Sequence, residues 1–360
     1  MTMSKLFFFK DFFPNQLFLD TADYIASVQA SDGSIPWFKD GYTDPWDHVE
    51  AAMGLTICGR FDEARKAFYW MKDVQRSNGS WWNAYKDGLV EDRTRIESNF
   101  VAYVATGVWH YFLITRDWQF LKEMWPVAEN AIDFVISLQT EHGDISWATD
   151  PAGSVLEDAL ITGCSSIYKS LECAINIATV LEKKRPDWQR ARIKLGNALR
   201  NHPERFDRTW ESKSRYSMDW FYPVLAGVIS GPAARSRLNR KWDTFVVEGL
   251  GCRCVSDEPW VTVAESCELT MALIAAGNHK KASQLFNWLH DYRDDDGSYW
   301  TGYVYPKKEL WPVEKPTWTA GAILLAADAL ARATPASELF TRVTLVDDAD
   351  TMMKKSKQYA

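Results

Sequence analysis

At 360 residues the chain is long enough to bury a large core, either as two domains or as one large repeat architecture. A net charge of −7 without any basic block argues against nucleic acid as a partner, and no apolar run reaches the length of a membrane span. Aromatic residues make up 14% of the chain and include 18 Trp. Trp gathered in loops points to a flat ligand, such as a sugar face or a polyene.

Apolar residues spaced at 3.6, together with start and stop signals, predict twelve helices. The apolar run at 6–9 is cut by Lys10 and Asp11, too early for a secretory signal, so a soluble cytoplasmic protein is expected. The first helix covers 15–29 and breaks at Asp32-Gly33-Ser34-Ile35-Pro36-Trp37. Helix 47–58 follows, stopped by Gly59, and 61–75 comes at once. Asn78-Gly79-Ser80-Trp81-Trp82 opens a long loop before helix 97–115, which passes through Arg116-Asp117 into 117–139. The second half keeps the rhythm with 163–182 and 188–201, 219–230 and 233–243, 262–276 and 279–293, and a last helix at 317–333. No run of strands is convincing. Residues 1–333 read as a single domain and 334–360 as a mobile tail ending in Lys354-Lys355-Ser356-Lys357.

Short and long connections alternate, and the long ones repeat. Gln29, Gln75, Gln139 and Arg293 each stand four residues before the Gly of a loop that ends in Trp, with Gly33, Gly79, Gly143 and Gly297 at the turn. Six helical hairpins closing into a ring, an all-α (α/α)6 toroid, fit this count better than an open solenoid. The helices entered from long loops then form the inner ring. Ala51-Ala52-Met53-Gly54-Leu55 and Ala320-Gly321-Ala322-Ile323 have the small, apolar character of a helix buried on all sides, whereas 61–75 and 188–201 carry Lys and Arg on one face and belong outside. The cleft is expected at the N-terminal ends of the inner helices.

Acids cluster at those ends: Asp44, Asp47 and Glu50, then Glu97, Glu157, Asp158, Asp219, Glu265, Glu268 and Glu314. Capping and dipole interactions account for many acids in such positions. Asp47 and Glu265 stand out because aromatic residues surround them, in Asp-Pro-Trp-Asp and Trp-Val-Thr-Val-Ala-Glu. Partial burial there raises a carboxyl pKa and suits it to general-acid work. Two carboxylates facing each other across an aromatic cleft are what glycoside hydrolysis requires. Asp47 and Glu265 head inner helices that are not ring neighbours, which leaves room for a water between them and favours inversion.

Glu50 and Glu268 lie one turn deeper, as supporting acids. Trp37, Trp46, Trp82, Trp147, Trp260, Trp300 and Trp318 are candidates to stack on sugar rings, and Tyr103, Tyr216 and Tyr222 to supply hydroxyls. His48, Glu97 and Asp219 are further candidate substrate contacts. Cys252, Cys254 and Asp257 lack a His placed to complete a zinc set, so neither metal nor cofactor is expected. The six cysteines show no paired motif and read as reduced thiols.

The Gln-to-Trp loop repeats resemble the aromatic repeat of triterpene cyclases and prenyltransferase subunits, a resemblance that implies the toroid fold. The cyclase acid motif Asp-x-Asp-Asp is absent, since Arg293-Asp294-Asp295-Asp296 lacks its first acid. Four other runs are more specific: Asp44 to Met53, Thr162-Gly-Cys-Ser-Ser-Ile-Tyr168, Glu248 to Asp257, and Trp300-Thr-Gly-Tyr-Val-Tyr-Pro306. They resemble bacterial prenyltransferase-like proteins related to the hydrolase of mycobacterial methylmannose polysaccharide. That resemblance covers nearly the whole chain. It implies an endomannosidase-type glycoside hydrolase acting on an α-linked oligo- or polysaccharide, with Asp47 and Glu265 as the catalytic pair. A cyclase-like enzyme and a non-catalytic glycan-binding toroid are the alternatives.

Overall fold

The computed structural model describes residues 14–346. The apolar run 6–9 and the basic run 354–357 lie outside the described residues. The helices are, in chain order, α1 (Gln16–Val28), α2 (Pro45–Ile57), α3 (Phe61–Asp73), α4 (Ser98–Thr115) and α5 (Trp118–Ser137). Next come α6 (Ile161–Val180), α7 (Pro186–Asn201), α8 (Ser217–Leu225), α9 (Gly231–Arg240) and the one-turn α10 (Trp242–Phe245). The series ends with α11 (Val263–Ala275), α12 (His279–Trp288) and α13 (Thr317–Ala331).

Setting α10 aside, six inner helices (α2, α4, α6, α8, α11 and α13) each pack on the next, and α13 packs back on α2 to close the ring. The other six surround them, so the protein is an all-α (α/α)6 toroid. The inner helices are buried almost throughout: on α2 every residue except Asp47 is out of solvent. Outer helices bury one stripe, as on α3, where Ala64, Ala67, Phe68, Trp70 and Met71 face inward. A close backbone contact joins α2 to α13. A Cβ on Gly54 would stand 2.9 Å from the Gly321 Cα, and one on Gly321 would stand 2.7 Å from the Glu50 carbonyl oxygen. Two glycines therefore let these backbones approach closely at the turn that carries Glu50.

The repeated Gln and Gly are the stitches between outer helices. The Gln29 amide donates to Gly33 O and to Glu63 O on α3, both at 2.9 Å. Gln75 does the same to Gly79 O and Val127 O on α5, and Gln139 to Gly143 O and Ala191 O on α7. Each glycine sits at positive φ against a carbonyl three residues further along that same helix: Lys66, Asn130 and Lys194. Arg293 closes the circle, reaching Leu17 O and Asp20 on α1 while Gly297 packs on the Asp20 carbonyl.

The structure adds short strands that hydropathy did not reveal. β1 (Ala84–Lys86) and β2 (Leu89–Asp92) form a hairpin, while β3 (Ile96–Glu97), β4 (Ala148–Thr149) and β5 (Val155–Leu156) form a three-stranded patch. The largest sheet has the order β10-β9-β8-β7-β6, from β6 (Val246–Val247), β7 (Gly251–Arg253), β8 (Trp260–Thr262), β9 (Gly302–Val304) and β10 (Glu309–Leu310). Runs of two to four residues are too short to show alternation, and several partners lie in loops far apart in sequence. These patches brace the long loops just ahead of α4, α6 and α11.

The stretch 334–346 is not free, as the sequence had suggested, but fastened across the opposite end of the ring. Thr344 N–H donates to Glu172 at 3.0 Å, Asn176 exchanges bonds with Thr344 O and Val346 N, and Lys169 donates to Arg342 O at 3.1 Å. Among the described residues, no helix is long and apolar enough to cross a membrane.

The seam between outer helices can be weighed by substitution. Gly143 has φ +97° and a Cβ there would lie 2.6 Å from Lys194 O, whereas Gly59 has φ +76° with open space around it. Gly143→Ala is expected to cost about 1–3 kcal/mol more than Gly59→Ala, because it adds a backbone clash to the same dihedral strain. Thermal unfolding of the two variants measures the difference, and equal melting temperatures would contradict the seam.

Candidate active site

The N-termini of the inner helices open onto one cavity of about 290 Å³. All six helices or their first turns contribute: Trp46, Asp47 and Glu50, Asn99 and Phe100, Thr162, Met218, Ala264, Glu265 and Glu268, and Trp318. The first wall is set by a cap. Asp44 accepts from Trp46 N–H at 2.9 Å and Asp47 N–H at 3.0 Å, and the Trp37 indole donates to its other oxygen at 2.5 Å. Pro45 occupies the first helical position, where its missing N–H costs nothing.

Two pairs of acids then face the cavity, each spaced three residues apart on one helix face: Asp47 and Glu50 on α2, Glu265 and Glu268 on α11. The only inner helix between α2 and α11 on the short way round is α13, with Trp318 on its first turn. The deeper acid of each pair is held by a tyrosine from the next helix outward in the ring. Tyr103 on α4 donates to Glu50 Oε2 at 2.7 Å, and Tyr222 on α8 hydrogen-bonds Glu268. Trp46 stacks on Tyr103 at 4.8 Å with a 23° tilt and meets Phe100 and Tyr222 edge-on.

Burial dominates the electrostatics. It pushes the Glu50 carboxyl up to about 7, against bonds from Tyr103 and Trp46 that pull it down. Glu268 is driven well above the ordinary carboxylate range by burial, then by the charges of Glu50 and Glu265. Asp47, partly buried on the cavity wall, is also well above its usual value, through desolvation first and then the charge of Asp44 and a hydrogen bond with it. Asp47, Glu50 and Glu268 therefore hold their protons to higher pH than exposed carboxyls do. Two polar atoms on the walls are buried and have no protein partner among the described residues: Glu265 Oε2 and the Trp318 indole nitrogen.

The structure divides the other sequence-derived candidates. His48 is fully buried and turned into the core: Nδ1 accepts from Ile35 N–H at 3.0 Å and Nε2 donates to Ala67 O at 2.9 Å. Neutral, with its pKa lowered to about 4 by burial, it ties the first long loop to α3 and leaves no nitrogen for a ligand. Glu97 stands at the N-cap position of α4 without a side-chain cap bond, and its carboxylate pairs with Arg95 at 2.7 Å. Asp219 lies behind the lining, accepting from the cavity-facing Thr162 hydroxyl at 2.8 Å and held up at about 6 by burial. Trp37 serves Asp44. Trp82 carries the Arg76 guanidinium 3.9 Å above its ring, and Trp260 donates to Trp311 O at 2.8 Å. Trp147 packs edge-on against Trp210, and Trp300 lines a separate groove.

Asn99, Phe100, Thr162, Met218 and Ala264 line the cavity without having been singled out from sequence. The signal was present: each lies within a residue or two of the start of an inner helix, the register that Trp46 and Asp47 occupy on α2. Among the described residues, no group of three or more His, Cys, Asp or Glu is arranged to hold a metal ion. All six cysteines are free thiols.

No family model matches the chain. Among solved structures, a wild-type glycosidase superposes with a TM-score of 0.67 over 89% of this chain and 97% of its own, at 14% identity. A D-mannose isomerase gives 0.67 over 88% and 96% at 11% identity, so these likenesses carry the fold alone. A kojibiose hydrolase from Mucilaginibacter mallensis is 31% identical over 102 residues, 26% of this chain and 15% of that one. The protein is a glycoside hydrolase built on a helical toroid. The MMP endo-(1,4)-3-O-methyl-alpha-D-mannosidase of Mycolicibacterium hassiacum is 51% identical over 325 residues, 90% of this chain and 89% of that one. The chain belongs to the family of that mannosidase.

The raised pKa of Glu50 has a stability consequence whose sign is fixed. Its folded pKa, about 7, lies above its unfolded value near 4.5, so folding takes up a proton. Stability is therefore lost as pH climbs through that window and is unaffected below it. Glu50→Gln, which still accepts from Tyr103, is expected to match the parent at pH 4 and to exceed it by on the order of 2–3 kcal/mol at pH 8. Denaturant unfolding at the two pH values checks this, and a stability gap independent of pH would contradict it.

Proposed function

We propose that the protein cleaves internal 1,4-linkages of an α-mannan carrying 3-O-methyl groups, with inversion, using Asp47 as general acid and Glu265 as general base. The observation that carries this reading is the convergence of acids from α2 and α11 on one aromatic-walled cavity. The substrate class follows the printed activity of the 51% identical relative. Asp47 suits the acid role because burial and neighbouring acids favour its protonated form, ready to protonate the departing glycosidic oxygen. Glu265, on the far side of α13, takes a proton from the water that attacks the anomeric carbon. Glu50 and Glu268, held by their tyrosines, keep the floor polar and hold the rim acids' surroundings fixed.

Trp46 and Trp318 supply sugar-stacking faces, and the unpartnered Trp318 indole N–H is a donor for a sugar oxygen. Phe100, Met218 and Ala264 give the cavity an apolar side on which a methyl ether is better accommodated than a free hydroxyl. The reaction needs no cofactor. Free thiols at all six cysteines fit a reducing compartment, and we assign the protein to the cytoplasm.

Asp47→Asn and Glu265→Gln are each expected to lower kcat by about 10²–10⁴-fold, with thermal unfolding little changed. Reducing-end release from methylated α-mannan measures this, and either variant retaining full activity would remove that residue from the pair. Proton NMR of the first product formed reads the stereochemistry: a β-configured reducing end from the α-linkage is the predicted result, and an α-configured one would mean retention.

A further inference from the structure

A second concavity, of about 810 Å³, lies outside the catalytic cavity between α1 and the loops around residues 38, 300 and 314. Tyr24, Phe38, Trp300 and Val313 give it apolar surface, and Glu314 and Lys315 give it polar edges. It is separated from the catalytic cavity by one stretch of chain: Glu314 and Lys315 face the groove, while Trp318, three residues on, lines the cavity. That partition is rigid, because Thr317 N–H donates to Trp37 O at 2.6 Å and the Thr317 hydroxyl to Pro36 O at 2.7 Å.

We propose that this groove is a second glycan-binding site, which holds a stretch of the polysaccharide away from the bond being cut. The proposal rests on the glycan-hydrolase reading and extends it. Trp300 is prepared for stacking. The Lys315 ammonium sits 5.3 Å from its ring centroid and is itself anchored by Asp294 at 2.8 Å and Asp296 at 2.6 Å, so the indole is held before any ligand arrives. The Trp300 indole N–H meets no acceptor among the described residues, and the Glu314 carboxylate is in no ion pair there.

Charge selects the ligand class. The lining carries the acids Asp23, Asp296 and Glu314 and the bases Lys39 and Lys315, and the pairing of Asp296 with Lys315 cancels one charge of each sign. A strongly charged ligand of either sign gains little there. A neutral polyhydroxylated chain gains an aromatic face together with acceptors and donors for its hydroxyls. Size points the same way. At about 290 Å³ the catalytic cavity is small beside the usual ligand pocket, so a polymer cut internally extends beyond it on both sides.

The test uses the full chain carrying Asp47→Asn, so that glycans stay intact, and calorimetric titration with methylated α-mannan oligomers of increasing length. Adding Trp300→Ala, and separately Phe38→Ala, is expected to weaken binding of long oligomers about threefold to tenfold and to leave the shortest ones unchanged. Unchanged affinity for long oligomers in both variants overturns the groove, and so does equal weakening of short and long ones. If the parent binds no mannan, the same proteins are compared on an array of neutral glycans. Trp300-dependent binding of another glycan there would keep the groove while removing the mannan reading, and no Trp300-dependent binding would remove the groove.

Discussion

Gathering four carboxyl groups in one small, largely desolvated cavity is the constraint around which this structure is arranged. Burial raises the energy of the Asp47, Glu50 and Glu268 carboxylates, and the charge of neighbouring acids adds to it at Asp47 and Glu268. Three features offset that cost. Asp47 and Glu265 stand in the first turns of α2 and α11, where backbone N–H groups and the helix dipole favour negative charge. The deeper pair accept hydrogen bonds from Tyr103 and Tyr222. The remainder of the cost is avoided by protonation, which is the state a general acid requires.

The ring supplies the geometry. Asp47 and Glu265 are set by the starts of α2 and α11, and those starts depend on how closely both helices pack on α13. Gly54 against Gly321 brings α2 and α13 into backbone contact at the turn that carries Glu50. Outside, these stitches close four of the six seams between outer helices: Gln29 to α3, Gln75 to α5, Gln139 to α7 and Arg293 to α1. The repeat is therefore a ring-closing device, and the chemistry sits on the helices it holds in register.

Much of this was legible because its causes are local. Twelve helices follow from apolar period and stop residues, and runs such as Ala320 to Ile323 mark a helix without a solvent face. The Gln–Gly spacing betrayed the hairpin count. Two of its exceptions are also informative: α8 ends at Leu225, earlier than periodicity suggests, because Gly227 turns at φ +77°, and α12 gives way at Trp288 to a 3₁₀ turn over Leu289–Tyr292. What sequence could not separate was direction. Asp47 and His48 are adjacent, yet one faces the cavity and the other bonds Ile35 and Ala67 in the core. The loop tryptophans look alike in sequence and divide into cavity lining, loop bracing and groove, because contacts between distant segments decide which face each ring shows. The docking of 334–346 depended likewise on Glu172 and Asn176, far away in sequence.

The most direct measurement of the central claim is the protonation of Asp47 itself. Carbon NMR of protein labelled at the side-chain carboxyls, with Asp47→Asn used to assign the resonance, follows that group through pH. Asp47 is predicted to titrate well above the ordinary aspartate range, in step with its carboxyl neighbours, because burial and the nearby Asp44 charge disfavour its ionised form. A simple titration near pH 4, as for an exposed aspartate, would contradict it.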